Sequence, residues 1–209
     1  MNKYTIEQSG RSMIEMLGVL AIVGVLSVAG IAGYSKAMAK YKVNKLTDQV
    51  TMTAANIRTT FAGQGDYNGL TNDVAHSLGV FPEEMDKDCG TSKCKPMNAM
   101  GGHMYVKQAK DGTNADGSTG KPGKYAFDMV VDGLSKDACS TLVTADWGSA
   151  AGLEGILKTV AADSGETYAG KGTDAYTAAE MQSSGITNAS AICTCTSAKN
   201  NCIVGWRFK

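Results

Sequence analysis

The chain has 209 residues, 43% of them apolar, and its 20 basic and 20 acidic side chains cancel to a formal net charge of zero. That length holds one membrane helix and a single head of ordinary domain size. Residues 62–209 lack a net basic surface, which argues against a nucleic-acid-binding domain there.

A polar leader, MNKYTIEQSG, ends at Gly10, and Arg11 opens the segment RSMIEMLGVLAIVGVLSVAGIAGYSK. One acidic residue, Glu15, stands at the head of a stretch, Met16 to Tyr34, that carries no charge. At about 1.5 Å per residue such a stretch crosses a hydrocarbon core of roughly 30 Å. A carboxylate at membrane depth costs about 2.5 to 3.5 kcal/mol on insertion scales, so Glu15 calls for a partner or for protonation. A cleaved secretory signal would place a basic region before a short apolar core and a small-residue site after it. Here the apolar run is too long and ends in Gly33-Tyr34-Ser35-Lys36. A cut after Gly10 instead leaves the apolar helix on a mature chain of 199 residues, with Arg11 first and Glu15 fifth.

Beyond the membrane run, Val43, Leu46, Val50, Ala54, Ile57 and Phe61 recur at three- and four-residue spacing and share one helical face. No proline interrupts residues 11 to 81. The pattern predicts a single helix from about 12 to 62, ended by Gly63 and Gly65. It is apolar all round over residues 16–34 and amphipathic over 35–62. Gly18, Gly24, Gly30 and Gly33 each cost about 1 kcal/mol relative to alanine, which fits a membrane half that is either locally meltable or closely packed. Residues 34–61 carry Lys36, Lys40, Lys42, Lys45 and Arg58 against Asp48 alone, a net of +4, and residues 62–209 balance this with −4. Attraction between the basic stalk and acidic heads of packed subunits accounts for this, as do lysines facing solvent and lipid headgroups. The lysines beyond the span also oppose the positive-inside bias expected with the leader in the cytoplasm.

Residues 63–209 form the head. Met104 to Lys107, Tyr125 to Val131 and Ile203 to Phe208 are strands by their Val, Tyr, Phe and Trp content, and Ser135 to Thr144 is a short helix capped by Ser135. The fold class is therefore α+β, with the long N-terminal helix packed on an antiparallel β-sheet head stapled by disulfides. Between the first two strands lies DGTNADGSTG. Matched to a calcium loop through Asn114, Asp116 and Gly117, it puts Gly112 and Gly123 where acidic ligands belong, so it reads as a connection. His76 and His103 lack nearby partners in the sequence, and no metal or cofactor site is expected. Six cysteines, Cys89, Cys94, Cys139, Cys193, Cys195 and Cys202, all follow the membrane segment. An even count in an exported head suits three disulfides, and none has the two-residue spacing of a zinc ribbon. Fifteen pairings remain open on count alone.

Gly10, Glu15 and the uncharged stretch Met16 to Tyr34 together resemble the type IV prepilin family. The segment YAFDMVVDGLSKDACSTLVT is similar to the region of type IVb pilins in which a strand runs into a DGL turn and a cysteine-bearing helix. The resemblance implies cleavage after Gly10 by a prepilin peptidase, methylation of the new amine on Arg11, and pairing of that amine with Glu15 of a neighbouring subunit. The first mature residue is usually phenylalanine or another apolar residue in that family, whereas here it is Arg11. The resemblance also implies the bridges Cys139 with Cys193, where ITNASAIC ends just before the last strand, and then Cys89 with Cys94 and Cys195 with Cys202. The implied function is a structural subunit rather than an enzyme. It would wait in inner-membrane lipid, meet an inner-membrane assembly machine and polymerise with itself into a helical surface filament for adhesion, aggregation or conjugation. A minor pilin or a type II secretion pseudopilin shares the amino-terminal half, and an anchored periplasmic enzyme finds no support in the placing of the two histidines.

Overall fold

Helical periodicity organises the first third of the chain, and alternating apolar residues mark the main strands described after it. A computed structural model describes residues 13–90, 93–109, 125–147, 153–157, 175–176, 193 and 202–208. Its first helix, α1 (Met13–Phe61), comes within a residue of the predicted limits at each end. The chain divides into two compact units, residues 1–41 and 42–209.

Within the first unit every described side chain except Met38 is exposed. Two hydroxyls in this apolar stretch turn back on the helix: Ser27 Oγ donates to the Val23 carbonyl (2.7 Å) and Ser35 Oγ to the Ile31 carbonyl (3.0 Å). Each polar group is thereby satisfied inside its own helix, the condition that lipid imposes.

In the second unit α1 buries Leu46, Gln49, Val50, Thr53, Ala54, Ile57 and Phe61, the predicted face with two polar additions. The helix closes at Phe61, whose carbonyl accepts from Gln64 N (3.0 Å). Gly65 then takes the left-handed conformation at φ +70°, which glycine adopts without a Cβ clash. Two elements that the sequence does not announce follow: α2 (Asn72–Ser77), capped by the Thr71 hydroxyl, and a 3-10 turn, Glu83–Asp88. Six residues are too few to display a helical period.

The sheet contains β1 (Met104–Gln108), β2 (Phe127–Leu134), β3 (Leu153–Leu157), β4 (Ala175–Tyr176) and β5 (Cys202–Phe208). All pairs are antiparallel in the order β1-β2-β5-β3-β4. The last strand in the sequence is thus central. Before β3, α3 (Lys136–Thr144) begins at Ser135, whose hydroxyl accepts from Ala138 N (3.2 Å), as its predicted capping role requires. Phe127, Met129 and Val131 of β2 alternate toward one face, where Met104, Val106, Val204, Trp206 and Phe208 join the buried face of α1 in one core. Tyr67 and Phe127 pack edge to face at 4.8 Å, and Phe127 stacks on Phe208 at 5.3 Å. Burial raises the Tyr67 phenol, partly offset by Arg58 beside it.

β2 starts two residues later than expected and runs three residues further, through Asp132-Gly133-Leu134. The register shifts between Val131 and Leu134, and Gly133 sits at φ +74° with its Cα packed against Gly102. A side chain at Gly133 would lie 2.6 Å from Gly102 Cα. A glycine pair is what lets the two backbones touch.

Candidate assembly interface

Glu15 occupies the first turn of α1 and is exposed. A carboxylate there faces the positive end of the helix dipole. From Met16 onward the apolar side chains point outward all round the helix, including Leu17, Leu20, Val25, Leu26 and Ile31. No part of the most apolar window is buried within the chain, and the helix is long and apolar enough to cross a membrane. A Cβ added at Gly18, Gly24, Gly30 or Gly33 would meet nothing within 4 Å. The helix backbone is thus open at these four positions, on a surface that could serve membrane or neighbour. Gly10 and Arg11 lie outside the described residues, so Glu15 alone of the predicted processing and assembly residues is placed.

The amphipathic part of α1 is tied to its head by polar contacts as well as by its core face. Gln49, nearly fully buried, donates to Glu84 Oε1 (2.7 Å) and accepts from Ala99 N (2.9 Å). Lys45 Nζ lies 2.7 Å from Glu84 Oε2. The bonds from Lys45 and then from Gln49 hold the Glu84 carboxyl below its ordinary range. Asn56 donates to the Val80 carbonyl (2.9 Å). One residue of α2, Asn72, covers the outer edge of β1: its amide donates to the Cys94 and Met104 carbonyls and its Oδ1 accepts from Val106 N (2.7 Å). A covered edge cannot add a foreign strand.

Two disulfides join described residues. Cys139 on α3 is bonded to Cys193, spanning 54 positions, and Cys89 is bonded to Cys94. Both are the pairings that the family resemblance implies. Cys202, at the start of β5, is also disulfide-bonded, and its expected partner Cys195 lies outside the described residues. The DGTNADGSTG connection with its calcium-like residues lies outside them too.

The histidines require a correction. Far from lacking partners, His76 Nδ1 lies 3.2 Å from Asp86 Oδ1, and His103 Nε2 lies 3.4 Å from Asp88 Oδ2 with Asp132 on its other side. The 3-10 turn presents both aspartates to histidines ten and fifteen positions away, a proximity that no local spacing encodes. His76, Asp86, Cys89 and Cys94 also fall close enough together to hold a metal ion. The two sulfurs are bonded to each other, however, and offer no thiolate for a metal.

A second long-range contact lies on the sheet face opposite α1. Asp128 and Arg207 are directly paired across β2 and β5. Arg207 donates to both carboxylate oxygens, Nε to Oδ1 at 2.7 Å and Nη2 to Oδ2 at 2.8 Å. Both side chains are buried, 0% and 4% exposed. This bidentate geometry is the arrangement that lets a charge pair survive burial.

The chain is similar to two solved structures. One, the type IVb pilin of Salmonella typhi, is 17% identical with a TM-score of 0.47, covering 79% of this chain and 97% of that one. The other, TcpA, a type IV pilin of Vibrio cholerae El Tor biotype, is 20% identical with a TM-score of 0.49, covering 81% and 99%. No curated protein matches. The family model described as Bundlin matches residues 36–209, the second part of α1 and the entire head. With most of its length matched, the chain belongs to the Bundlin family of type IVb pilins.

Proposed function

We propose that this chain is made as a precursor held in inner-membrane lipid by residues 16–34, with its leader in the cytoplasm. Prepilin peptidase cuts it after Gly10, and an inner-membrane assembly machine draws it into the filament. The end product is shown by the family: a structural pilin subunit that polymerises with itself into an extracellular type IVb pilus. The observation that carries the pathway is α1 itself. Its first half offers an exposed uncharged surface and its second half is built into the core of a pilin head.

In the assembled filament the amine of Arg11, methylated after cleavage, pairs with Glu15 of a neighbour, and α1 forms the filament core with the heads outside. Support comes from the exposed placing of Glu15 in the first turn of α1 and from the cost of leaving a carboxylate unpaired in an apolar bundle. Electron microscopy of sheared surface material, with mass spectrometry of its main band, tests the scheme. The expected product is filaments made mainly of this chain and beginning at Arg11. Gly10 replaced by a bulky residue should accumulate the uncut form. Glu15→Ala should be cut yet assemble poorly, and a normal filament yield from it would sink the pairing role.

A further inference from the structure

At the end of the apolar stretch and just past it, α1 carries Tyr34, Lys36, Lys40 and Tyr41. All four are exposed, the tyrosines at 67% and 60%. Neither Lys36 nor Lys40 has a hydrogen bond or ion pair among the described residues, whereas Lys45, further along the helix, is held by Glu84. At 3.6 residues per turn the two lysines stand about 40° apart and the two tyrosines about 20° apart, with the pairs on opposite sides of the helix. The four side chains thus form a collar rather than a stripe. A stripe suits one protein neighbour; a collar suits a medium that surrounds the helix.

We propose that this collar binds the anionic headgroups of the lipid leaflet opposite the leader before assembly, and so sets the depth of Glu15 in the bilayer. The inference rests on the membrane-held precursor described above. Tyrosine rings settle at the headgroup level, and lysines extend their ammonium groups toward phosphate while their stems stay against the apolar boundary. Between Glu15 and Lys36 there are 21 rises of the helix, or about 31 Å, close to the roughly 30 Å of a hydrocarbon core. When the lysines sit among headgroups on one side, Glu15 reaches the polar boundary on the other. There its carboxylate is hydrated and open to a neighbour's amine rather than sunk in lipid. The same arrangement accounts for lysines on the side that the positive-inside bias disfavours: their partners are lipid phosphates at a fixed depth.

The test uses the full chain in vesicles. Flotation after an alkaline carbonate wash comes first, in neutral phosphatidylcholine. A chain that washes off defeats the membrane-held precursor itself, and with it this inference. With the chain inserted, electron spin resonance of spin-labelled phosphatidylglycerol and phosphatidylcholine reports which lipid the helix retains. Wild type should favour phosphatidylglycerol at least about fivefold at low salt, the ratio expected from a surface lysine near anionic lipid. Lys36→Gln/Lys40→Gln should bring the ratio close to one, as should high salt on wild type. Glutamine matches lysine in helix propensity, so the far-ultraviolet circular dichroism should not change. An equal preference in wild type and variant overturns the proposal. Lysine-dependent crosslinking to a second copy, without lipid preference, overturns it in favour of a protein neighbour.

Discussion

Removing the Cys139–Cys193 bridge should weaken the head about twice as much as removing Cys89–Cys94. The first bridge spans 54 positions and the second only 5. On chain-entropy grounds, closing the long loop stabilises the folded state by about 4 kcal/mol and closing the short one by about 2 kcal/mol. Cys139 and Cys193 are both buried, so paired alanine substitutions avoid leaving a lone thiol or hydroxyl in the core. Urea unfolding of the detergent-solubilised chain, followed by tryptophan fluorescence, isolates the head. Both tryptophans are there, with Trp147 edge to face on Trp206 at 5.0 Å. With a slope of about 2 kcal/mol per molar urea, Cys139→Ala/Cys193→Ala should lower the midpoint by about 2 M and Cys89→Ala/Cys94→Ala by about 1 M. Equal shifts, or a larger one from the short loop, would refute the loop-length reasoning.

Asp128→Leu should cost about 3 to 5 kcal/mol because it takes the bidentate carboxylate away from the buried Arg207 guanidinium, and Asp128→Leu/Arg207→Met should recover most of that in the same urea assay. A double variant no better than the single one would show that the pair is not the cause. Gly133→Ala combines a φ of +74° with a contact of 2.6 Å to Gly102 Cα and should lower head stability by at least about 2 kcal/mol in thermal melts. Gly63→Ala, where an added Cβ meets nothing within 4 Å, should stay within about 0.5 kcal/mol. Glu84 has a depressed folded pKa, so its link to Lys45 and Gln49 stabilises the head above the unfolded carboxyl range and is lost as pH falls through the lower folded value. The pair is partly exposed, so the effect stays under about 1 kcal/mol. Comparing wild type with Glu84→Gln from pH 6 to pH 3 should show the difference vanish on the acid side, and a difference that grows there would be contrary.

α1 is legible in consecutive residues, because an uncharged stretch followed by Leu46, Val50, Ala54, Ile57 and Phe61 at helical spacing leaves one face to bury and no proline to interrupt it. So are β1, β2, β5 and the cap at Ser135, since alternation and capping act over a few residues. Glu15 stands out for the same local reason, a single charge beside an uncharged run. Tertiary structure alone decided the central place of β5, the Asp128–Arg207 pair 79 positions apart, and the contacts of His76 and His103 with the 3-10 turn. It also decided the contact of Gly102 with Gly133 and the closing of β1's edge by Asn72. β3, β4 and α2 escaped the sequence reading because they are short and take their order from neighbours rather than from their own pattern. Periodicity and caps are written in consecutive residues, whereas charge pairing, edge covering and backbone contact exist only once distant segments have been brought within a few ångströms of one another.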